Sequence, residues 1–207
     1  MFRRSPTADT LAAFAVVYLV QSALHLVAPG TVPFLFLLAP PVDVRPWAVV
    51  TSVYAHAGLA HLAANGLALA LVGFPLERTT SRLRYHLFFV TTGALAGVTQ
   101  VVLDATLSSL GVGAPSAVLG ASGAVFALFG YVLSANRLSD RLLRFVPVSG
   151  LGQLLAFAVV AAVLTLATGA PGVALIAHFT GFLLGLVAGR AHLLRTETQA
   201  SKAPTGN

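Results

Sequence analysis

The sequence predicts an all-α polytopic membrane protein, and its composition and apolar runs lead to that fold class. The chain of 207 residues is 57% hydrophobic and only 9% charged, with a mean hydropathy of +0.89. Soluble domains carry about 25% charged residues. Six apolar runs are each long enough for a transmembrane helix, which needs about 17 to 25 residues. No charged or polar stretch is long enough for a separate soluble domain, so one domain is expected.

The six apolar runs define the expected transmembrane helices. The membrane domain is expected over 10–194, with short tails at 1–9 and 195–207. The first run is too long for a cleaved signal peptide, and no clear small-residue cleavage site follows it, so it is interpreted as an anchor. In chain order the predicted helices lie at about 10–28, 50–73, 86–103, 116–134, 150–168 and 173–194.

The positive charges set the expected orientation. With six spans, eleven of the twelve Lys and Arg residues fall on the side that holds both termini, and Arg45 falls on the other side. The positive-inside rule therefore places both termini in the cytoplasm. The distribution of the cations explains the net charge of +6 as a topology signal, so nucleic acid is not an expected partner. The eleven cations are Arg3, Arg4, Arg78, Arg82, Arg84, Arg137, Arg141, Arg144, Arg190, Arg195 and Lys202.

A serine flanked by glycines opens an otherwise apolar helix in the segment 118–130. At the first turn of a helix, the Ser122 hydroxyl would lie among unpaired backbone N–H groups and near the positive end of the helix dipole. Gly120 and Gly123 would let another backbone or a substrate approach closely. Such a position suits developing negative charge. The alternative is a small-residue packing surface, which is common in membrane helices.

Polar side chains interrupt the second predicted helix. His61 and Asn65 are four residues apart, so they share one helix face. Unpaired polar groups are costly in lipid, so the pair indicates a polar cavity. The alternative is interhelical hydrogen bonding that only holds the bundle together. His56 lies off this face and is expected near the membrane surface in a supporting role.

The sixth predicted helix carries one histidine at the head of a glycine stripe. Gly181, Gly185 and Gly189 follow His178 at helical spacing and would allow another helix to pack closely. A lone histidine on an apolar helix can also be a packed, hydrogen-bonded core residue. In the predicted topology the second, fourth and sixth helices all enter from the outside, and a rise of ~1.5 Å per residue puts their polar residues at similar depths.

A serine, a histidine that can take its proton and side-chain donors for an oxyanion are the parts that nucleophilic acyl transfer needs. No Asp or Glu lies near enough in the predicted topology to complete a triad, so the chemistry would be a dyad. Neither a His-Glu-x-x-His motif nor a phosphate-binding loop is present, so no metal and no cofactor are expected.

These residues give the chain a resemblance to rhomboid intramembrane serine proteases of the minimal six-helix type. The resemblance runs from about Trp47 to Gly189, and one departure is Ala48, where the family usually has arginine. Three motifs carry it: His-x4-His-x3-Asn at His56, His61 and Asn65, Gly-x-Ser-Gly at Gly120 to Gly123, and Ala-His-x2-Gly-x3-Gly at Ala177 to Gly185.

The resemblance implies a role for each motif residue. Ser122 would be the nucleophile and His178 the general base that later acts as the acid. His61, Asn65 and the Ser122 backbone N–H would form the oxyanion hole. Further residues would support them: Phe126 packing against the catalytic imidazole, Gly181 and Gly185 allowing the sixth helix to meet the fourth, and also His56, Gly120 and Gly123.

The implied function is cleavage of transmembrane segments of membrane proteins near the outer face, in contact with membrane lipids. So compact a chain indicates a prokaryotic cell membrane. One alternative is a rhomboid-like pseudoprotease, which binds transmembrane helices without cutting them. Another is a small transporter or channel, which would show inverted repeats or broken helices. No repeat is visible between the two halves of the sequence.

Overall fold

The computed structural model describes residues 4–136, 149–167, 169 and 174–196, and these residues form a helical bundle. Within them the helices are, in chain order, α1 (Pro6–Val27), α2 (Thr31–Phe36), a 3-10 turn (Val42–Val44), α3 (Ala48–Tyr54), α4 (Leu59–Leu76), α5 (Arg82–Ser109), α6 (Ser122–Ser134), α7 (Gly150–Ala167) and α8 (Leu175–Arg190).

Several of these helices have the length and composition of membrane spans. In the described part of the chain, four helices are long and apolar enough to cross a bilayer, namely α1, α4, α5 and α7. The helices α6 and α8 are apolar but shorter, with 13 and 16 residues. Large apolar side chains such as Leu19, Leu71 and Val163 are exposed on the outside of the bundle. The predicted all-helical membrane architecture is confirmed, while the six spans and the cytoplasmic termini stay predictions.

The first helix begins earlier than the sequence indicated. Ser5 is the N-cap of α1 and Pro6 follows at the first turn, where proline has no N–H to leave unpaired. The Glu77 carboxylate accepts hydrogen bonds from the Ser5 hydroxyl (2.7 Å) and from the Thr7 N–H (3.1 Å). A negative charge at a helix N-terminus stabilises it. The prediction of a tail over 1–9 is therefore wrong for its last four residues.

The prediction of one helix over 50–73 is also wrong, because the chain breaks between α3 and α4. The His56 N–H donates to Oε1 of Gln21 on α1 (3.0 Å), and the Ala57 N–H donates to Nδ1 of His61 (3.4 Å). Backbone N–H groups inside a membrane protein must find partners within the protein. These two side chains satisfy two of the N–H groups at the break, and Gln21 reaches the His56 N–H from a distant part of the sequence.

Two other helices differ in their ends from the predicted 86–103 and 116–134. The helix α5 is longer at both ends, and the Ser81 hydroxyl caps its N-terminus. The helix α6 begins at Ser122 after the N-cap residue Ala121, and shortly before it Val118 pairs with Leu38 in an antiparallel bridge. The serine is thus the first residue of its helix.

The end of α8 lies at Arg190, four residues before the predicted end. The chain turns there, and the Leu194 N–H donates to the Tyr131 hydroxyl (3.2 Å). Some predictions concern residues outside the described part of the chain: the helix ends at 168 and 173, most of the tail over 195–207, and the cations Arg3, Arg137, Arg141, Arg144 and Lys202.

The main core lies between α1, α4, α5 and α6. Its largest buried side chains include Phe14, Leu69, Tyr85, Phe89 and Leu128. A smaller cluster joins Leu38 and Val101 to Ala48, the position where the family usually has arginine, and Ala48 is fully buried. The packing of these clusters sets the positions of the helices whose ends carry the polar residues.

The helices α6 and α8 approach each other backbone to backbone. A Cβ atom on Gly181 would collide with the carbonyl oxygen of Gly123, and one on Gly185 would collide with that of Ala127. The glycine stripe of α8 therefore faces the small residues of α6, as expected for close packing of membrane helices. This contact brings the start of α6 next to the start of α8.

Candidate active site

The four polar residues singled out in the sequence line one cavity. Ser122, His178, His61 and Asn65 all contribute to the wall of a cavity of about 680 Å³. Ser122 is the first residue of α6, and His61 and His178 lie in the first turns of α4 and α8. The other described residues of the wall are apolar, and none is Asp or Glu. The cavity is therefore an apolar chamber with a few polar groups at three helix N-termini.

The loop before α6 holds Ser122 in the cavity wall. The Gly120 N–H donates to the Ser52 carbonyl oxygen of α3 (2.9 Å), which ties the loop to the bundle. The Val125 N–H donates to the Ala121 carbonyl oxygen (2.9 Å) as α6 begins. The Ser122 N–H lies ahead of this bond, where helix N–H groups have no intrahelical partner. It can therefore bind negative charge that develops beside the serine hydroxyl.

His178 is held by an aromatic stack. Its side chain is buried, and its ring lies over the Phe126 ring with a centroid distance of 4.2 Å and an interplanar angle of 21°. The buried Nδ1 of His178 has no hydrogen-bond partner among the described residues. Ser122 and His178 share the cavity wall without a hydrogen bond recorded between them in the described part of the chain. In unliganded active sites such bonds are often long and tighten when substrate binds.

His61 and Asn65 are joined within the first two turns of α4. The Asn65 side-chain amide donates to the His61 carbonyl oxygen (3.0 Å). Because Nδ1 of His61 accepts the Ala57 N–H, the neutral ring carries its proton on Nε2. A Cβ atom on Gly120 would lie 2.9 Å from that Nε2, so the ring rests directly against the loop before Ser122. His61 is thus a hydrogen-bond donor next to the serine.

A comparison with known protein families decides the assignment. The family model described as the Rhomboid domain matches residues 44–195. This match covers well over half of the chain and includes every polar residue of the cavity. The chain belongs to the rhomboid family. The resemblance that the three motifs indicated is therefore confirmed, and this rhomboid protein is a multi-pass integral membrane protein.

Individual rhomboid relatives match over shorter stretches. RHOMBOID-like protein 5 of Arabidopsis thaliana is 29% identical over 152 residues, covering 73% of this chain and 45% of the relative. Rhomboid protease GluP of Bacillus subtilis is 36% identical over 94 residues, covering 44% of this chain and 17% of the relative. Rhomboid-related protein 3 of Homo sapiens is 34% identical over 109 residues, covering 52% of this chain and 24% of the relative. The chain spans less than half the length of each of these relatives.

His56 lies outside the wall of the rhomboid cavity. Its predicted place near the membrane surface stays a prediction, and within the bundle its side chain is only 3% exposed. Its ring packs edge-on against Phe14 (4.8 Å between centroids) and against His61 (5.3 Å). The structure therefore gives His56 a packing contact behind His61.

One polar residue of the rhomboid bundle has no role in the sequence analysis. Gln100 of α5 is buried, and its Oε1 accepts a hydrogen bond from the Ala177 N–H (3.0 Å), directly before His178. The sequence feature that could have identified Gln100 is its position four residues before Asp104 in an otherwise apolar segment. Residues at this spacing share a helix face.

No group of three or more His, Asp or Glu side chains in the described ranges could hold a metal ion.

Proposed function

We propose that this rhomboid protein is an intramembrane serine endopeptidase that cleaves transmembrane segments near the outer face of the membrane. Ser122 is the nucleophile and His178 the general base. The observation that carries this proposal is the shared cavity, in which a serine at a helix N-terminus lies with His178, His61 and Asn65. The residues match the parts required for nucleophilic acyl transfer.

The first step forms an acyl-enzyme. The Ser122 Oγ attacks the carbonyl carbon of the substrate peptide bond, and its proton passes to His178. The carbonyl oxygen becomes an oxyanion, which accepts hydrogen bonds from His61 Nε2–H, the Asn65 amide and the Ser122 N–H. The C–N bond then breaks, and His178 gives its proton to the leaving amine. Preorganised donors of this kind are worth about 10²- to 10³-fold each in rate.

The second step releases the product. A water molecule attacks the ester carbon and gives a proton to His178, and the oxyanion forms again in the same place. The bond to Ser122 Oγ breaks, and the serine recovers its proton from His178. The enzyme returns to its starting state, with the new carboxyl terminus free to leave.

The proposed pair is a dyad, and no carboxylate is among the described residues of the cavity wall. In a triad the carboxylate orients the histidine ring. We infer that the stack on Phe126 performs this orientation for His178.

The apolar wall of the cavity indicates the substrate class. A transmembrane helix can leave lipid for such a chamber, but its peptide bonds are shielded until the helix opens. Segments with glycine or other weak helix formers near the cut are therefore favoured, because opening them costs less. The relative named as a protease, GluP, supports the same class of reaction.

The two alternatives to a protease are a transporter and a pseudoprotease. The break between α3 and α4 is a feature expected of a transporter, but membership of the rhomboid family argues against that class. A pseudoprotease would keep the helix bundle and bind transmembrane helices without an activated serine. The following experiment separates the pseudoprotease from the protease.

The test is covalent labelling of the detergent-solubilised protein with a fluorophosphonate probe. An activated serine reacts with the probe without any knowledge of the natural substrate. We expect the parent protein to be labelled at Ser122, and Ser122→Ala and His178→Ala to lose the label. Peptide mapping identifies the labelled residue.

Matched controls use the same residue types outside the cavity. Ser109→Ala and His25→Ala change exposed residues, so both variants should be labelled at the parental rate. If the folded parent is labelled no faster than Ser122→Ala, the dyad is not assembled and the pseudoprotease is the better assignment. If labelling succeeds, a single-span reporter with glycine near its outer end tests cleavage in liposomes.

A further inference from the structure

We infer that Gln100 and Asp104 of α5 are positioning residues that cap the helix carrying His178. Gln100 accepts the Ala177 N–H, and Asp104 holds the Gln100 amide in the orientation that this bond requires. The consequence for catalysis rests on the proposed function of His178, but the cap itself can be tested without activity.

The helix α8 has no cap of its own. Its N-cap residue is Ala174, which has no side-chain acceptor, and the N–H groups of a first turn have no intrahelical partners. Gln100 Oε1 lies 3.0 Å from the Ala177 N and fills this role from α5. Gln100 is only 7% exposed, so water does not compete freely for the bond. A buried N–H without a partner would be costly.

Asp104 determines which end of the Gln100 amide faces α8. The amide has an oxygen acceptor and an NH2 donor of similar shape, and only the oxygen can accept the Ala177 N–H. The Gln100 Nε2 donates to Asp104 Oδ2 (2.7 Å), one turn further along α5. A carboxylate can only accept, so it selects the NH2 end and directs the oxygen towards α8. The two hydrogen bonds form one chain from Asp104 to Ala177.

This chain ends next to the site. Ala177 precedes His178, and a Cβ atom on Gly123 would lie 3.6 Å from the Ala177 carbonyl oxygen and 2.7 Å from the Ala96 Cβ of α5. The first turns of α6 and α8 and the middle of α5 therefore meet at one point beside Ser122. Loss of the bond frees the first turn of α8, and His178 moves with that turn.

The first measurement is amide hydrogen exchange, which reports the cap directly. In Gln100→Leu the acceptor is removed while a similar side-chain volume is kept. We expect exchange over residues 175–178 to become about fivefold to tenfold faster than in the parent, the range that corresponds to one net hydrogen bond. Thr99→Val is the matched control, because the Thr99 hydroxyl donates to Leu95 within the same helix (2.8 Å). It should leave this exchange unchanged.

The second measurement is a rescue by a reversed pair. Gln100→Glu places a second carboxylate against Asp104, so the rate of fluorophosphonate labelling at Ser122 should fall about tenfold, as should protection of residues 175–178. Adding Asp104→Asn restores a donor opposite the new acceptor, and both quantities should return towards the parent. A merely space-filling role for these two side chains predicts no such rescue.

The outcomes separate the two proposals. Unchanged exchange in Gln100→Leu, or a double variant no better than Gln100→Glu in restoring protection, overturns the cap. Faster exchange with an unchanged labelling rate at Ser122 overturns the link to His178. A parent that is never labelled at Ser122 contradicts the protease and with it the catalytic consequence, while the exchange data still decide the cap.

Discussion

The rings of Phe126 and His178 lie stacked, with centroids 4.2 Å apart and planes inclined by 21°. Phe126 is four residues after Ser122, so the face of α6 that presents the serine hydroxyl also supports the histidine ring. The buried Nδ1 of His178 has no polar partner among the described residues. We infer that this aromatic surface, rather than a carboxylate, limits the rotation of the imidazole.

We predict that Phe126→Leu slows labelling of Ser122 by about tenfold, which corresponds to ~1.4 kcal/mol, within the range of one aromatic pair. The substitution keeps an apolar side chain but removes the flat ring, so His178 spends less time in the reactive orientation. The midpoint of thermal unfolding should change little. Phe129→Leu is the control, since Phe129 belongs to the same helix and lines the same cavity. Equal slowing in both variants would show that the stack has no special role.

We predict that Gly181→Ala destabilises the protein and abolishes labelling. The new Cβ would collide with the Gly123 carbonyl oxygen, so α6 and α8 must separate beside the site. Overpacking of this kind costs about 1 to 3 kcal/mol. Thermal unfolding in detergent and the labelling rate measure the two effects.

The control for this prediction is Gly66→Ala, in the interior of α4. Among the described residues, the new Cβ would meet only Leu11 Cδ2, at an ordinary contact distance of 3.6 Å. Alanine also favours a helix interior over glycine by up to about 1 kcal/mol. Gly66→Ala should therefore be as stable as the parent or more stable. A Gly181→Ala variant that behaves in the same way would contradict the close packing of α6 and α8.

We predict that Gly120→Ala lowers labelling by about 100-fold, the effect of losing one oxyanion donor. Gly120 has a φ of +133°, which disfavours other residues, and its Cβ would lie 2.7 Å from Cε1 and 2.9 Å from Nε2 of His61. The His61 ring must therefore move away from the loop before Ser122. Gly113→Ala separates the two causes, because Gly113 also has a positive φ (+72°) but its added Cβ would meet no described atom within 4 Å. A similar loss of labelling in Gly113→Ala would point to backbone strain instead of His61.

Much of the candidate site could be predicted from the chain itself because its signals are local. Ser122 between two glycines, the spacing of His61 and Asn65, and the glycine stripe after His178 are patterns of helix faces, and composition identifies the membrane class. The close approach of α6 and α8 follows from small residues on both faces. In the structure the polar residues line one cavity, and the glycines of α8 lie against α6.

The features that the sequence did not reveal depend on partners far apart in the chain. The break before α4 is stabilised by Gln21, which is 35 residues from His56, and the start of α8 is capped by Gln100, which is 77 residues from Ala177. Nothing in the local pattern of 50–73 requires a break, since the His56 N–H finds its acceptor only when folding brings Gln21 to it.

The sequence by itself therefore determined the membrane class, the rhomboid family and the residues of the proposed dyad. Helix periodicity and short motifs are properties of neighbouring residues, and they persist whatever the rest of the chain does. Only the tertiary structure decided where α3 ends, how deeply His56 is buried and what holds the helix of His178. The end of α3 and the start of the helix of His178 depend on pairing a buried backbone N–H with a side chain that folding brings from another helix. The burial of the His56 ring depends on its packing against Phe14 and His61.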